Sequence, residues 1–103
     1  MISEKKHFYT IIKPYRKDFI LNPMENENAI MENHFSYLKN LLDNNKLYLA
    51  GPTLIESDPF GVIIFETETE EEARELLMQD PSIKSGIQKV VDFRPVRLSL
   101  TKK

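Results

Sequence analysis

The run Gly61-Val62-Ile63-Ile64-Phe65-Glu66 constrains this chain more than any other segment. It is nearly continuous in β-branched and aromatic side chains, which reads as a strand covered on both faces. Three residues on, Thr69-Glu70-Glu71-Glu72 has the form of a capping box. The threonine hydroxyl takes the third helical N–H and Glu72 reaches back. The predicted helix runs through Ala73, Leu76 and Leu77 and ends before Asp80-Pro81. Pro81 to Ser85 has room for one more turn, with Gly86 as its terminator.

The other segments fall into place around this β-α unit. His7-Phe8-Tyr9-Thr10-Ile11-Ile12 reads as a first strand, bounded by Pro14. Tyr15 to Glu27 holds Pro23 and asparagines and reads as a long loop, of the length that binding loops and lids have. From about Asn28 to Asn44 the period turns helical. Met31, Phe35, Leu38 and Leu42 form one row, and Ile30, His34, Tyr37 and Leu41 the next, giving a broad apolar face. Leu47-Tyr48-Leu49-Ala50 is a short strand closed by Gly51-Pro52. Val90 to Phe93 and then Val96, Leu98 and Leu100 form a last strand, with a bulge or bend expected at Pro95. The order is β-α-β-β-α-β, the ferredoxin-like α+β plan of an antiparallel sheet with two helices on one face. Two helices leave the second face bare, yet its strands read as apolar on both sides. A second copy of the chain is the expected cover, giving a homodimer.

Composition narrows the function classes. The chain has 103 residues, 41% hydrophobic and 29% charged, as expected for one domain over 1–103 with a core of about 7–100. With no cysteine there is no thiolate ligand, nucleophile or disulfide. Fourteen basic residues against sixteen acidic ones offer no basic stripe for nucleic acid. An RNA-binding reading of the same β-α-β-β-α-β order also lacks the Lys/Arg-Gly-Phe pattern that such a sheet carries. No segment approaches the roughly 20 apolar residues of a membrane span, and the N-terminus does not form a signal peptide, so a cytoplasmic location is expected. No phosphate loop, nucleophile elbow or zinc motif is present, and neither a cofactor nor a metal is called for.

The residues left to carry chemistry are few. His7 lies at a strand end with no partner nearby in sequence and reads as structural or exposed. His34 lies mid-helix in an apolar row. It is either a packed core histidine satisfied by backbone or tyrosine, or an imidazole held in a cleft as a proton shuttle. Asp80 before Pro81 is fully accounted for as a helix cap with proline at the first helical position. Turn geometry likewise accounts for Gly51-Pro52 and Gly86.

The ordered blocks His34-Phe35-Ser36-Tyr37-Leu38, Leu47-Tyr48-Leu49-Ala50-Gly51-Pro52 and Glu71-Glu72-Ala73-Arg74-Glu75-Leu76-Leu77-Met78-Gln79-Asp80-Pro81, followed by Gly86, resemble the YCII (YciI-like) family. The resemblance covers about His7 to Pro95. It implies a dimeric α+β barrel and a site built on a His–Asp pair, which falls here on His34 and Asp80. An enzyme reading of that site adds Gly51, Pro52, Pro81 and Gly86 as substrate-binding residues, with Tyr9 and Tyr37 as hydrogen-bond donors to a substrate. Similarity to small lactone-acting enzymes, a chloromuconolactone dehalogenase type among them, implies small organic acids, lactones or carbonyl compounds as substrates. Two departures stand out: Ile30-Met31-Glu32-Asn33 lacks the arginine that family members often carry, and Ser82 replaces an aromatic. Lys13, Arg16 and Arg94 are the cations available to replace that arginine. The alternative to an enzyme is a non-catalytic small-molecule-binding or regulatory homodimer of the same fold.

Overall fold

The computed structural model describes residues 5–16, 19 and 22–102. Positions 17, 18, 20 and 21 of the expected loop, and Lys103 of the tail, lie outside that set. The elements are β1 (Lys6–Pro14), α1 (Glu25–Asp43), β2 (Leu47–Pro52), β3 (Gly61–Thr67), α2 (Glu70–Met78), the one-turn α3 (Pro81–Lys84) and β4 (Gln88–Val96). The sheet order is β2-β3-β1-β4, antiparallel throughout. The expected ferredoxin-like α+β fold is therefore the observed one.

Alternation along the central strands sets the layers. Phe8 and Ile12 of β1 and Ile63 and Phe65 of β3 point to one face, where they meet Leu38 and Leu41 of α1 and Ala73 and Leu77 of α2. Phe8 stacks on Phe93 at 5.7 Å, and the Arg74 guanidinium lies 4.4 Å over the Phe93 ring. Tyr9, Ile11, Val62 and Ile64 alternate to the face without helices. Ile11 is buried there and the other three are half-buried. The continuous burial expected for β3 thus resolves into one fully covered face and one partly covered face.

Several boundaries differ from the sequence reading. The α1 helix starts at Glu25, because the Glu27 carboxylate accepts the Met24 backbone N–H at 2.8 Å and draws the first turn forward. Phe35 and Leu42 do not join the core; they are 69% and 48% exposed. Strand β2 runs through Gly51 and Pro52 instead of ending before them. Pro52 is tolerated because β2 is an edge strand. The irregularity in β4 lies at Val91, where pairing slips between Ile11 and Ile12, and not at Pro95. Leu98 and Leu100 lie beyond the strand.

Other expectations hold. Asn45, at φ 61°, ends α1: Lys46 N–H bonds Leu41 and Asn45 N–H bonds Leu42, closing its last carbonyls. The Thr69 hydroxyl accepts the Glu72 N–H at 3.1 Å. The Glu72 carboxylate, however, takes Lys46 Nζ and the Glu68 N–H, so only the threonine half of the capping box forms.

The β1–α1 connection is tied by charge. Glu27 is 1% exposed and accepts hydrogen bonds from Arg16, Tyr15 and Met24. Arg16, through its hydrogen bonds, holds the Glu27 carboxyl far below its usual 4.5, at about 2. The folded-state value lies below the unfolded one. Stabilisation from this pair is therefore complete above the ordinary carboxylate range and is lost as pH falls from about 4.5 to about 2. Urea titrations should show wild-type stability falling across that window and Glu27→Gln falling less steeply; parallel curves would remove Glu27 from the account.

The core predicts a second outcome. Phe65, 1% exposed at the centre of the helix-covered face, should cost about 3–5 kcal/mol of unfolding free energy when changed to alanine. Denaturant midpoints at constant m-value measure it.

Candidate active site

The loop between α2 and α3 places one carboxylate with care. Asp80 follows the last turn of α2 and precedes Pro81, which begins α3. Its Oδ1 accepts the Ser82 N–H at 2.8 Å and the Ser82 hydroxyl at 2.9 Å. That is the expected helix cap. The same carboxylate also meets His34 Nδ1, at 2.8 Å from Oδ1 and 2.7 Å from Oδ2. Asp80 is 1% exposed and the His34 side chain 12%. Asp80 therefore serves as a cap and as the partner of an imidazole across the helix layer.

The carboxylate fixes the tautomer. An ionised carboxylate only accepts, so Nδ1 carries the hydrogen in the neutral ring and Nε2 holds the lone pair. Nε2 makes no hydrogen bond among the described residues, and His34 forms part of the wall of a cavity of about 1010 Å³. This cleft lies between α1 and β2, under the loop joining β2 to β3. Met31, Phe35, Leu38 and Leu42 line it from α1, Leu47 to Pro52 from β2, and Leu54, Ile55 and Phe60 from the loop. Apolar walls with a few polar groups are what small-ligand sites have. Among the described residues, no group of three or more histidine and carboxylate side chains stands ready to hold a metal.

The structure sorts the other candidates. Gly51 and Pro52 line the cavity with His34. Tyr37 does not: its hydroxyl donates to the Leu76 carbonyl at 2.6 Å. Burial, and then the Asp80 charge, push its phenol above the usual 10.0, so it stays a donor. Tyr9 sits on the opposite face of the sheet, because it alternates with Phe8 and Thr10. Pro81 and Gly86 frame α3, with Gly86 at φ +83°, and neither is part of the cavity wall. His7 bonds Glu66 at 2.9 Å on the face away from the helices.

None of the three candidate cations lines the cavity. Arg16 is bound to Glu27 and to the Asn22 carbonyl. Lys13 pairs with Asp58, and Arg94 with Asp92. Lys39 and Gln88 are wall residues with no site signal in the sequence. Lys39 stands on the exposed side of α1 at the cavity mouth, one turn past Phe35. Gln88 comes from the start of β4, and only the β1–β4 pairing could place it.

A β-α-β-β-α-β sheet-and-helix layer that sets a carboxylate-bound histidine in an apolar cleft defines a small α+β protein with a ligand-sized site. The chain matches the YCII-related domain over residues 7–97 and belongs to that family. Among solved structures it is similar to 5-chloro-2-hydroxyhydroquinone dehydrochlorinase (TftG) from Burkholderia phenoliruptrix AC1100, in complex with 2,5-dihydroxybenzoquinone. That match has 21% identity and a TM-score of 0.58, over 87% of this chain and 91% of that one. The uncharacterized protein TM1266 from Thermotoga maritima matches at 15% identity and a TM-score of 0.51, over 91% of this chain and all of that one (100%). At such identities the likeness is one of fold. No curated protein matches the chain.

The two roles of Asp80 can be separated. Asp80→Ser keeps a good N-cap and loses the carboxylate, whereas Asp80→Ala loses both. Asp80→Ala should unfold more easily by the about 0.5–2 kcal/mol of a helix cap. Equal denaturation midpoints for the two variants would deny the capping role.

Proposed function

We propose that this protein is a small enzyme that uses the His34–Asp80 pair for general acid–base chemistry on a small organic acid, lactone or carbonyl compound. The observation that carries the reading is the Nδ1–carboxylate contact on a histidine that lines an apolar cavity; it supports Nε2 as the free base. Nε2 removes a proton next to a carbonyl. The electron pair then moves into the ring or carbonyl system and, in an elimination, the leaving group departs with its bonding pair. Asp80 stabilises the imidazolium formed, which afterwards returns or releases the proton. The neighbouring fold of a dehydrochlorinase agrees with elimination as one such reaction. A base positioned in this way contributes typically about 10²–10⁴-fold in rate.

The same reading has two chains packed sheet to sheet through the face without helices. That face carries Tyr9, Ile11, Val62 and Ile64, with Leu49 exposed at its edge. Light scattering should return about twice the 12.1 kDa of one chain at micromolar concentration. A value for one chain would contradict it.

A screen of small lactones, hydroxylated rings and organic acids tests the chemistry. Turnover of a hit should fall about 10²–10⁴-fold in His34→Ala, with Asp80→Asn close behind. Turnover unchanged in both would dismiss the mechanism. The non-catalytic alternative draws on the wall itself: its cation, Lys39, stands at the exposed mouth, and no arginine lies beside His34. A compound that binds the cavity and is recovered unchanged would favour it.

A further inference from the structure

Gln88 pairs with Pro14 of β1 and points to the helix-covered face. It is 8% exposed and contributes to the same cavity wall as His34. Its Nε2 donates to the Met31 thioether at 3.5 Å. Its Oε1 is buried with no hydrogen-bond partner among the described residues. The orientation follows from chemistry: a thioether sulfur accepts, weakly, and never donates. The N–H end of the amide therefore turns to Met31 and the carbonyl end is left without a donor. Buried carboxamide oxygens are ordinarily satisfied, so an orphan beside a cavity calls for a reason.

The other polar groups of the wall are committed or outside. The Thr53 hydroxyl is bonded to the backbone of Phe60. Lys39, Tyr48 and Glu56 are exposed. His34 Nε2 and the buried Gln88 Oε1 are thus polar atoms of wall residues that have no hydrogen-bond partner among the described residues. Both residues border the same stretch of α1. Met31, which anchors the amide, precedes His34 by three residues on α1, so their Cβ atoms are about 5–6 Å apart. The bond to sulfur is weak, and the amide can swivel its oxygen toward a ligand without breaking a contact on which the fold depends.

We infer that Gln88 is a specificity-determining residue of this cavity: its carboxamide oxygen accepts the hydrogen of a hydroxyl on a neutral ring compound and holds that ring against His34. This rests on the proposed small-ligand site and adds the chemistry of the ligand. A ring with a free hydroxyl satisfies the orphan oxygen, whereas an ether or a carboxylate at the same place leaves it unpaired or repels it.

The test has two arms. The first is thermal melting of the protein without ligand. Gln88→Leu and Gln88→Met remove an unpaired buried oxygen and should melt at or above the wild-type temperature. A lower temperature in both variants would show that the amide serves the fold and would overturn the inference. The second arm uses hydroquinone, kept reduced, and 1,4-dimethoxybenzene, followed by amide proton–nitrogen shifts along α1 and β2. Wild type should prefer hydroquinone by about three- to tenfold, the worth of one hydrogen bond. That preference should vanish in Gln88→Leu while the affinity for the ether stays unchanged. A preference that survives in Gln88→Leu overturns the role of Gln88 and leaves the small-ligand reading intact. If neither probe shifts cavity signals in wild type at millimolar concentration, the small-ligand reading falls and this inference falls with it.

Discussion

The contact between the Asp80 carboxylate and His34 Nδ1 is the interaction on which the rest of the site depends. Asp80 comes from the break between α2 and α3, and His34 from the middle of α1. A buried carboxylate is costly unless it is hydrogen-bonded several times over. Here Ser82 supplies two donors and the imidazole a third, so the charge is held where water is scarce. The arrangement orients the ring, fixes its tautomer and joins the helix layer to the edge of the cleft.

A second buried carboxylate does a different job seven residues earlier on α1. Glu27 and His34 are two helical turns apart and share one face of the helix. Glu27 is neutralised by Arg16 and closed off by Tyr15, and it is not part of the cavity wall. It fixes where α1 begins and how the chain enters it from β1. Asp80 binds one ring nitrogen of a histidine that lines the cavity and leaves the other without a hydrogen bond among the described residues. The two acids thus divide the work of anchoring the helix and orienting the imidazole.

Local signals were readable in the sequence because their causes are local. The Thr69 cap, the Asp80-Pro81 start of α3, the end of α1 near Asn44 and the β-branched run of β3 each depend on residues within a few positions. Long-range features were hidden. Glu27 reads as the end of a loop because its partner Arg16 lies eleven residues away across that connection. Phe35 and Leu42 keep the helical period and still escape the core, because α1 leans over an open cleft instead of a closed layer. The bulge at Val91 follows from the pairing of β4 with β1, which no short window of sequence contains. Of the site itself, His34 and Asp80 came from a family resemblance. Gln88 and Lys39 have no signal short of the tertiary structure that places them, and the alternation of β1 puts Tyr9 on the face away from the cavity.

The central claim is that Asp80 holds His34 with its hydrogen on Nδ1 and leaves Nε2 bare. Long-range proton–nitrogen correlation of the imidazole in uniformly labelled wild-type protein, recorded where the ring is neutral, reads that directly. The account predicts a protonated Nδ1 and an unprotonated Nε2 for His34. A hydrogen on Nε2, with Nδ1 bare, would mean that Asp80 does not orient the ring and that the proposed base is absent.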